Sequence, residues 1–564
     1  MSAGSGIHMS SEGAATTGSA VGRAPRLRGA GRQTALAARL GVARWSGYAW
    51  GAIAATAAFI AMTIWWLSQD RSIPIYDAGH HLEVVFAFHS MIASGNWLGP
   101  FEYNEVYPPL GHLVGALGTL IGGVTVPAPI IAQNLVFVPL LALGVYQTGR
   151  LLFGSAAGLL AVIFVLCTPL LIAQLHNFML DPPMTAMVAV SLWLLLASRD
   201  FERMDYSLAL GVAAGIGMLV KVQYPVYLAG LVLLMLARGG WRNWRGFLAF
   251  LAVGTVIAAP WYIVHISEFG RITEIAGTGT GSGVQPDLAP PPLSSANFLW
   301  YFWSVLNSQL LVPLFLLTVG GALWMFVTLR RRRGGDAYGG RLELLAGCFL
   351  TWLTITITPH HDIRYGMPLI PYMAVIGTGW IVCLPRRPAL AALALLVLGA
   401  GANTLGVTFG VGDEEVIALT HPLPKAEEES DRVIFYATQA FVNAAPSRDG
   451  NVPGLLDELH RAGVRLVAVS LQQSAGIDFS FEGLVPLGEI AGLQVAVVQS
   501  LEFGRSPEIA TLIHEPVGAG SSPTCTRVSD GTGVWVARFD AAAGKLALYC
   551  PSRRIKYYAI GHVH

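Results

Sequence analysis

The chain has 564 residues, of which 54% are hydrophobic and only 12% are charged, and its mean hydropathy is +0.55. A soluble protein of this size carries about 25% charged residues, so the composition excludes an ordinary soluble protein. The apolar residues fall in runs of roughly 17 to 25 residues, the length that crosses a bilayer as a helix. The formal net charge of +1 says nothing useful about partners, and we expect no nucleic acid partner. The sequence therefore predicts a polytopic α-helical membrane protein.

Three regions follow one another along the chain. Residues 1–45 are rich in Gly, Ala, Ser and Arg, with five arginines from Arg23 to Arg39. We predict that they form a disordered basic tail on the cytoplasmic side rather than a cleavable signal. Residues 46–410 contain the apolar runs and predict a transmembrane domain. Residues 411–564 carry frequent charges and predict a soluble domain.

Basic residues mark the cytoplasmic loops of membrane proteins, and here they separate about eleven candidate membrane spans. The spans are 48–67, 128–149, 153–173, 184–198, 207–220, 224–238, 246–266, 310–328, 342–359, 367–384 and 389–410. We predict that residues 108–123 add a re-entrant or surface helix, which gives about 11 to 13 membrane helices in all. With a cytoplasmic N-terminus, this topology places residues 411–564 on the outer side.

The stretch YDAGHH places Asp77 directly after the first apolar run. Asp77 either caps the next helix or acts as a general base for a substrate at the membrane surface, and the two roles are compatible. His80 and His81 follow at helical spacing and would share a face with Asp77. We assign these two histidines, together with Glu105 and Tyr107, to an acceptor or sugar pocket. A metal site on the histidines is a minority alternative.

Two further charged residues lie on the same predicted outer face. Asp181 precedes Pro182 in the stretch LDPPM, which is a strong signal for the start of a helix. Capping alone would explain Asp181, but its place at the end of a span makes it a second candidate for catalysis. Lys221 falls between two short apolar segments. We favour a lysine that extends to the membrane surface over one that binds an anionic headgroup.

The stretch PHHDIRYGMP forms a second dense polar cluster, with His360, His361, Asp362 and Arg364 before an apolar helix. An arginine suits phosphate because its planar fork donates two parallel hydrogen bonds. The alternative is an interfacial arginine that pairs with Asp362 or with lipid phosphate. A basic residue on the outer face departs from the positive-inside pattern, and this favours a functional role.

Residues 411–564 read as a small α/β domain. Strands are predicted at 432–437 and 465–470 around a helix at 453–463, which makes one βαβ unit, with further strands at 493–499, 533–539 and 546–550. Cys525 and Cys550 lie in this region and could form a disulfide if it is extracytoplasmic. The sequence of this region shows no phosphate-binding glycine loop and no catalytic constellation, so we expect it to bind the acceptor, dock a partner or shield the site rather than do chemistry.

Six stretches in this order resemble the GT-C membrane glycosyltransferases, and within them the branch of protein O-mannosyltransferases and aminoarabinose transferases. The stretches are YDAGHH (76–81), VYPPLGHL (106–113), GRLLFG (149–154), LDPPM (180–184), GIGMLVK (215–221) and IRYGMPLIP (363–371). The ordered set covers roughly residues 45–410 and is more specific than any single stretch.

That branch uses polyprenyl-monophosphate sugar donors. The resemblance therefore implies a GT-C-like fold and a hexosyl or pentosyl transfer, by inverting displacement, to an extracytoplasmic glycan, lipid or protein. It implies Asp77 as the catalytic base and Asp181 as support for the acceptor or the donor sugar. It also implies that Arg364 and Lys221 hold the lipid phosphate, and we place His360 and His361 in the same donor site.

The sequence departs from the family pattern at one point that concerns metals. Ala78 follows Asp77, where many relatives have a second acidic residue, and no Asp-X-Asp pattern is found. Both departures favour a reaction without metal, so we expect no cofactor and keep a divalent metal as the weaker alternative.

Two other functions remain possible from the residues. One is a transporter or flippase of lipid-linked sugars, and the other is a non-catalytic scaffold of the cell envelope. Transporters place their ionisable residues near the bilayer midplane and contain internal repeats, whereas the charges here cluster at one predicted interface. Richness in Arg and Ala suggests a bacterium of high GC content, so we expect the plasma membrane.

Overall fold

The computed structural model describes fewer residues than the sequence contains. The described ranges are 46–70, 74, 77–103, 105–267, 294–331, 340–357, 361–409, 417–418, 432–433, 460–461, 464–471, 484–492, 494–499, 533–540, 545–550 and 553–559. The predicted tail at 1–45, together with His360 and Cys525, lies outside them.

The transmembrane region is built of helices. They are α1 (Gly47–Gln69), α2 (Asp77–Ala93), α3 (Gly99–Glu102), α4 (Leu110–Gly122), α5 (Pro127–Phe153), α6 (Ser155–Leu166), α7 (Pro169–Leu175), α8 (Asp181–Ala197), α9 (Met204–Val220), α10 (Val226–Ala237), α11 (Trp244–Val264), α12 (Ser295–Ser304), α13 (Leu311–Arg331), α14 (Arg341–Thr356), α15 (Ile370–Gly379) and α16 (Arg386–Phe409). Short 3₁₀-helices cover Gly240–Asn243, Ile363–Leu369 and Ile381–Cys383, and a π-helix covers Val305–Leu310.

Six helical segments of the described chain are long and apolar enough to cross a membrane. They are Gly47–Gln69, Pro127–Phe153, Gly240–Val264, Ser295–Arg330, Ile363–Cys383 and Arg386–Phe409, and a seventh forms if α6 and α7, bent by 63°, count as one span. This confirms the prediction of a multi-pass helical membrane protein.

Fewer helices of the described chain are long enough to cross a membrane than the predicted 11 to 13. Helices α4, α8, α9 and α10 are apolar but have only 12 to 17 residues. At 1.5 Å per residue they are about 18 to 26 Å long, which is less than the hydrocarbon core of about 30 Å. Prolines and polar residues mark the ends of these helices. In α8, for example, Pro182 and Pro183 lie in the first turn and fix where the helix begins.

Helices α5 and α6 follow one another through a single glycine. Gly154 has a φ of 98°, a backbone conformation that residues with a Cβ atom avoid. The chain therefore turns back without a loop, and α5 packs against α6 as well as against α8. Gly144 lies in the α5–α8 contact, where an added Cβ would fall 2.4 Å from the backbone carbonyl carbon of Ala189. The two helix backbones thus meet directly at this point.

Helix packing brings together the elements that carry the predicted site residues. Helix α2 packs against α4, and α8 packs against both α9 and the 3₁₀-helix Ile363–Leu369. Asp77 and Asp181 are the first residues of α2 and α8, and Lys221 directly follows α9. The charged groups therefore lie at helix ends, while the interiors of the helices supply the apolar core.

The described part of 411–564 contains two sets of paired strands and one helix. Strands β1 (Ile417–Ala418) and β2 (Arg432–Val433) pair with each other. A five-stranded sheet has the order β4-β3-β5-β6-β7, with parallel pairing of β3 to β4 and β5 and antiparallel pairing of the rest. The five strands are β3 (Val464–Leu471), β4 (Gln494–Gln499), β5 (Gly533–Asp540), β6 (Lys545–Cys550) and β7 (Arg553–Ala559).

Helix α17 (Leu484–Ile490) joins β3 to β4 in the chain and packs against both β4 and α2. The predicted βαβ unit pairs the strand at 432–437 with the strand at 465–470, and this pairing is wrong. The described part of 432–437 pairs with β1, and the parallel neighbours of β3 are β4 and β5. Cys550 ends β6. The bounds of an α/β domain, its membrane side and a Cys525–Cys550 disulfide stay predictions.

The Gly144→Ala substitution should destabilise the protein by about 1 to 3 kcal/mol, because α5 and α8 must separate to admit the methyl group. The control is Gly401→Ala in α16, where an added Cβ meets no atom within 4 Å. This control should gain up to about 1 kcal/mol from helix propensity. Thermal unfolding of the purified protein in detergent measures both, and equal midpoints for the two variants would contradict the α5–α8 contact.

Candidate active site

Asp77 and Arg364 form an ion pair between elements that lie far apart in the sequence. Arg364 Nη1 donates a 2.7 Å hydrogen bond to Asp77 Oδ2. The Asp77 side chain keeps 44% of its exposure and that of Arg364 keeps 24%. The pair therefore lies at the rim of the site, where a carboxylate oxygen stays accessible to a substrate.

Asp362 holds the same guanidinium from its other edge. Arg364 Nε lies 2.9 Å from Asp362 Oδ2 and Nη2 lies 2.5 Å from the same atom. The Asp362 carboxylate also accepts the backbone N–H of Arg364 at 2.8 Å and thereby caps the 3₁₀-helix. Burial alone would raise the pKa of Asp362, but the charge and the hydrogen bonds of Arg364 outweigh it and lower the pKa. Asp362 is thus a fixed anion.

Asp181 and Lys221 form a second, deeper ion pair. Lys221 Nζ lies 2.7 Å from Asp181 Oδ1, and the side chains are only 7% and 1% exposed. The other carboxylate oxygen, Asp181 Oδ2, is buried and has no hydrogen-bond partner among the described residues. An unsatisfied buried acceptor is costly, and this oxygen retains the capacity to accept a hydrogen bond.

These contacts correct two sequence-based interpretations. Lys221 does not extend to the membrane surface, because its ammonium group is buried on Asp181. Asp181 does not act as a helix cap, because its carboxylate binds Lys221 and the next two residues, Pro182 and Pro183, offer no N–H groups. Asp77 is the first residue of α2, so the predicted link between this residue and a helix start holds.

Tyr107 is buried where the charges of both ion pairs act on its hydroxyl. Burial raises the pKa of Tyr107 strongly, and the negative charges of Asp77 and Asp181 raise it further. The Tyr107 hydroxyl is therefore protonated and neutral near pH 7. The Tyr107 ring contacts the edge of His81 with a centroid distance of 4.9 Å. Tyr107, which the sequence assigns to the pocket, thus lies within the electrostatic reach of both predicted catalytic carboxylates.

His80 and Glu105 contact each other at the opening of this region. His80 Nε2 lies 3.2 Å from Glu105 Oε2, and the N–H of Val106 donates to Glu105 Oε1 at 2.8 Å. Burial alone would raise the pKa of Glu105, but these hydrogen bonds and the His80 charge outweigh it, and the pKa lies below 4.5. Glu105 therefore shapes the loop before α4 as an anion.

His81 is directed into the interior by a second histidine. His81 Nδ1 lies 3.1 Å from His112 Nε2, and both side chains are buried. Burial lowers the pKa of His81, and the nearby positive charges of Lys221 and Arg364 lower it further. His81 is therefore neutral near pH 7 and offers hydrogen bonding without charge.

Of the two predicted donor-site histidines, His361 lies in the described part of the chain. His361 is buried, contacts Asn297 Oδ1 through Nε2 and stacks on Tyr301 with a centroid distance of 5.6 Å. Asn297 in turn donates to the Thr356 carbonyl oxygen. Asn297 thus joins α12 to the end of α14, and His361 packs on α12. A role of His361 on the lipid phosphate stays a prediction. His360 lies outside the described residues.

Sequence reasoning missed the side chains that support this site. Gln309, in the π-helix, donates to the Ile363 carbonyl oxygen at 3.1 Å and fills the space that a Cβ of Gly366 would need. His265 lies 3.1 Å from the carbonyl oxygen of Tyr103 and so ties α11 to the loop before α4. A buried polar residue within an apolar run was the available signal, but nothing in the sequence named the partner.

The residues that the structure describes include no group of three His, Cys, Asp or Glu side chains that could hold a metal ion. We therefore assign no metal ligands, and metal dependence stays untested. Chemically, the site offers an accessible carboxylate, a buried carboxylate oxygen, a neutral phenol and two cations held by anions.

One protein family matches part of the chain. The sequence model of the family described as dolichyl-phosphate-mannose-protein mannosyltransferase matches residues 106–264, just over a quarter of the chain. Over this segment the chain resembles that family. The segment includes Tyr107, Asp181 and Lys221, so the predicted resemblance is confirmed there. A search of curated proteins gave no significant match.

Several solved structures are similar in fold. They include ArnT from Cupriavidus metallidurans in the apo state, with 20% identity, a TM-score of 0.47 and coverage of 63% of this chain and 64% of ArnT. The same protein bound to undecaprenyl phosphate gives 20% identity and a TM-score of 0.47, with coverage of 62% and 64%. Arabinosyltransferase EmbB from Mycobacterium smegmatis gives 16% and 0.38, with coverage of 66% and 35%. The chain spans just under two thirds of the length of ArnT.

The Lys221→Met substitution should destabilise the protein by about 3 to 5 kcal/mol, because it leaves the Asp181 charge buried without a cation. The double variant Lys221→Met with Asp181→Leu should recover most of this loss, since it removes both charges. Thermal unfolding in detergent measures the cycle. A double variant as unstable as the single one would contradict the pair.

A matched control for this cycle is the exposed pair of Arg203 and Asp205, whose atoms lie 2.9 Å apart. Because water screens these charges, Arg203→Gln should cost no more than about 1 kcal/mol.

The contribution of Glu105 to stability should depend on pH. Its pKa in the folded protein is lower than the unfolded value of 4.5, so its contribution is present above that pH and is lost as pH falls through the folded pKa. The difference in thermal midpoint between wild type and Glu105→Gln should therefore be constant from about pH 5 to 6 and shrink at lower pH. The exposed Glu102→Gln variant serves as control, and a difference that grows on acidification would overturn this assignment.

Proposed function

We propose that this protein is a membrane glycosyltransferase that moves a sugar from a polyprenyl-monophosphate donor to an extracytoplasmic acceptor. The observation that carries the proposal is the Asp77–Arg364 pair, in which an accessible carboxylate contacts a guanidinium at 2.7 Å. Such a pair places a proton acceptor beside an anion-binding group. Sugar transfer from a phosphate ester needs both at one carbon atom.

Asp77 is the proposed general base and Arg364 the proposed ligand of the leaving phosphate. The acceptor hydroxyl loses its proton as it attacks C1 of the sugar, and a carboxylate within hydrogen-bond reach can take that proton. The phosphate gains negative charge as the C1–O bond breaks, and a fixed guanidinium stabilises this charge. A single displacement inverts the anomeric centre.

Asp181 and the neighbouring neutral groups are proposed to hold the sugar. Asp181 Oδ2 is a buried acceptor without a partner among the described residues. The rings of Tyr107 and His81, with centroids 4.9 Å apart, add neutral groups to the proposed pocket. Lys221 is held by Asp181, so we assign it to the electrostatic balance of the site as well as to the phosphate. The type of sugar, whether hexose or pentose, is left open by this pocket.

The similarity to the dolichyl-phosphate-mannose-protein mannosyltransferase model supports the class of donor. The place of the charges favours an enzyme over a transporter. Asp77, Asp181 and Lys221 lie at helix ends, whereas transporters bind near the bilayer midplane at broken helices. We further propose that residues 46–410 form the catalytic domain, with a cytoplasmic N-terminus and an extracytoplasmic α/β domain at 411–564.

The proposed function is tested by transfer from a panel of radiolabelled polyprenyl-phosphate sugars in membranes. Wild type should transfer label from at least one donor, and Asp77→Asn should lower the rate by about 100-fold or more, because an amide cannot take the proton. Asparagine keeps the shape and can still accept the Arg364 hydrogen bond, so the variant should fold.

The exposed Glu102→Gln variant, a carboxylate-to-amide change on α3, is the matched control and should retain the wild-type rate. Equal transfer by wild type and Asp77→Asn would remove Asp77 as base. No transfer from any donor would favour a transporter or a scaffold.

A further inference from the structure

Arg364 is bound by two carboxylates and still has hydrogen-bond donors that neither of them uses. A guanidinium has five N–H groups. The Nε–H and one Nη2–H bind Asp362, and one Nη1–H binds Asp77. Two N–H groups, one on each terminal nitrogen, remain without an acceptor among the described residues. N–H groups of a guanidinium are suited to donate to phosphate oxygens.

The two carboxylates that bind Arg364 differ in burial and in the number of contacts. The Asp362 side chain is 17% exposed and makes contacts with Nε and Nη2, whereas that of Asp77 is 44% exposed and makes one contact with Nη1. Asp362 also binds the Arg364 backbone, so it fixes both ends of the residue. Asp362 therefore sets the direction of the guanidinium, and Asp77 meets it at the free edge.

The net charge of the site gives this arrangement a consequence for an anionic substrate. Three carboxylates, Asp77, Asp181 and Asp362, surround two cations, Lys221 and Arg364. An anionic phosphate therefore meets a surplus of negative charge when it enters. Asp362 weakens the attraction for the donor phosphate, so its retention in the site calls for a benefit other than donor binding.

We propose that Asp362 is a positioning residue that aligns the Arg364 guanidinium between Asp77 and the phosphate of the lipid-linked donor. This inference rests on the proposed function. Arg364 then contacts the base through one terminal nitrogen and the departing phosphate through its remaining N–H groups. The benefit of Asp362 is gained in the transition state, where the phosphate carries the most charge.

The step itself balances within the named groups. The acceptor oxygen forms a bond to C1 of the sugar, and the C1–O bond to the phosphate breaks. The bonding electron pair stays on the phosphate oxygen, which leaves as polyprenyl monophosphate. The acceptor proton passes to Asp77 and then to solvent. Asp362 and Arg364 keep their protonation throughout.

The Asp362→Asn substitution should separate the two kinetic constants. Loss of the carboxylate removes repulsion from the donor phosphate, so KM for the donor should fall or stay unchanged. Loss of the two-point grip lets the guanidinium swing out of line, and a displacement of about 1 Å can lower kcat by about 100-fold. A purely structural role for Asp362 predicts less folded enzyme, which lowers Vmax but leaves KM and the kcat calculated per folded molecule at wild-type values.

The Asp362→Glu variant retains the charge but displaces it by one methylene group. It should leave KM unchanged and lower kcat less than Asp362→Asn does, and it replaces that variant if the latter fails to fold. The control is Asp205→Asn, which breaks an exposed Asp–Arg pair and should leave both constants at wild-type values.

The experiment is donor-dependent steady-state kinetics on the full-length protein in membranes, with the donor that wild type uses. A lower kcat with an equal or lower KM supports the positioning role. An unchanged kcat, or a lower kcat with a raised KM, overturns the positioning role. The proposed function still stands in that case, because wild type transfers the sugar. Absence of transfer by wild type refutes the proposed function and the positioning role together.

Discussion

Charged groups near the apolar interior of a membrane protein are stable only when they are paired, and this constraint organises the site. Removing an ion from water costs several kcal/mol unless an opposite charge and further hydrogen bonds replace the water. The structure meets this demand with two linked sets, Asp181 with Lys221 and Asp362 with Arg364 and Asp77. Each set draws its members from different helices or turns, so pairing the charges also fixes how those elements pack.

Chain order explains how the fold delivers these partners. Asp77 and Asp181 each start a helix, and Lys221 follows the last residue of one. Side chains at helix ends can meet without the insertion of a charge into an apolar helix interior. The 3₁₀-helix Ile363–Leu369 packs against α8, and this contact brings Arg364 near Asp181 as well as Asp77. Gln309 holds that turn through the Ile363 carbonyl oxygen. A short turn and three helix ends therefore supply the two sets of paired charges.

The sequence was a good guide to features that depend on local pattern and a poor guide to pairing. Apolar runs predicted the helices, and the starts of α2 and α8 followed from Asp77 and from the prolines after Asp181. The partner of Lys221 lies 40 residues away and that of Asp77 lies 287 residues away. No periodicity reports such contacts, so the buried Lys221 was mistaken for an interfacial lysine. A role for His112 could not be predicted for the same reason, since its partner His81 belongs to another helix.

The arrangement also explains why carboxylates outnumber cations in a site proposed to hold a phosphate. A strongly cationic pocket would bind the intact donor and the released polyprenyl phosphate tightly, and tight binding of both states does not accelerate the reaction. Cations already engaged by Asp181, Asp362 and Asp77 attract the donor only weakly. In the proposed reaction, the phosphate gains charge as the C1–O bond breaks and then competes better for the free N–H groups of Arg364. The attraction therefore grows along the reaction path, and stabilisation of this kind raises kcat.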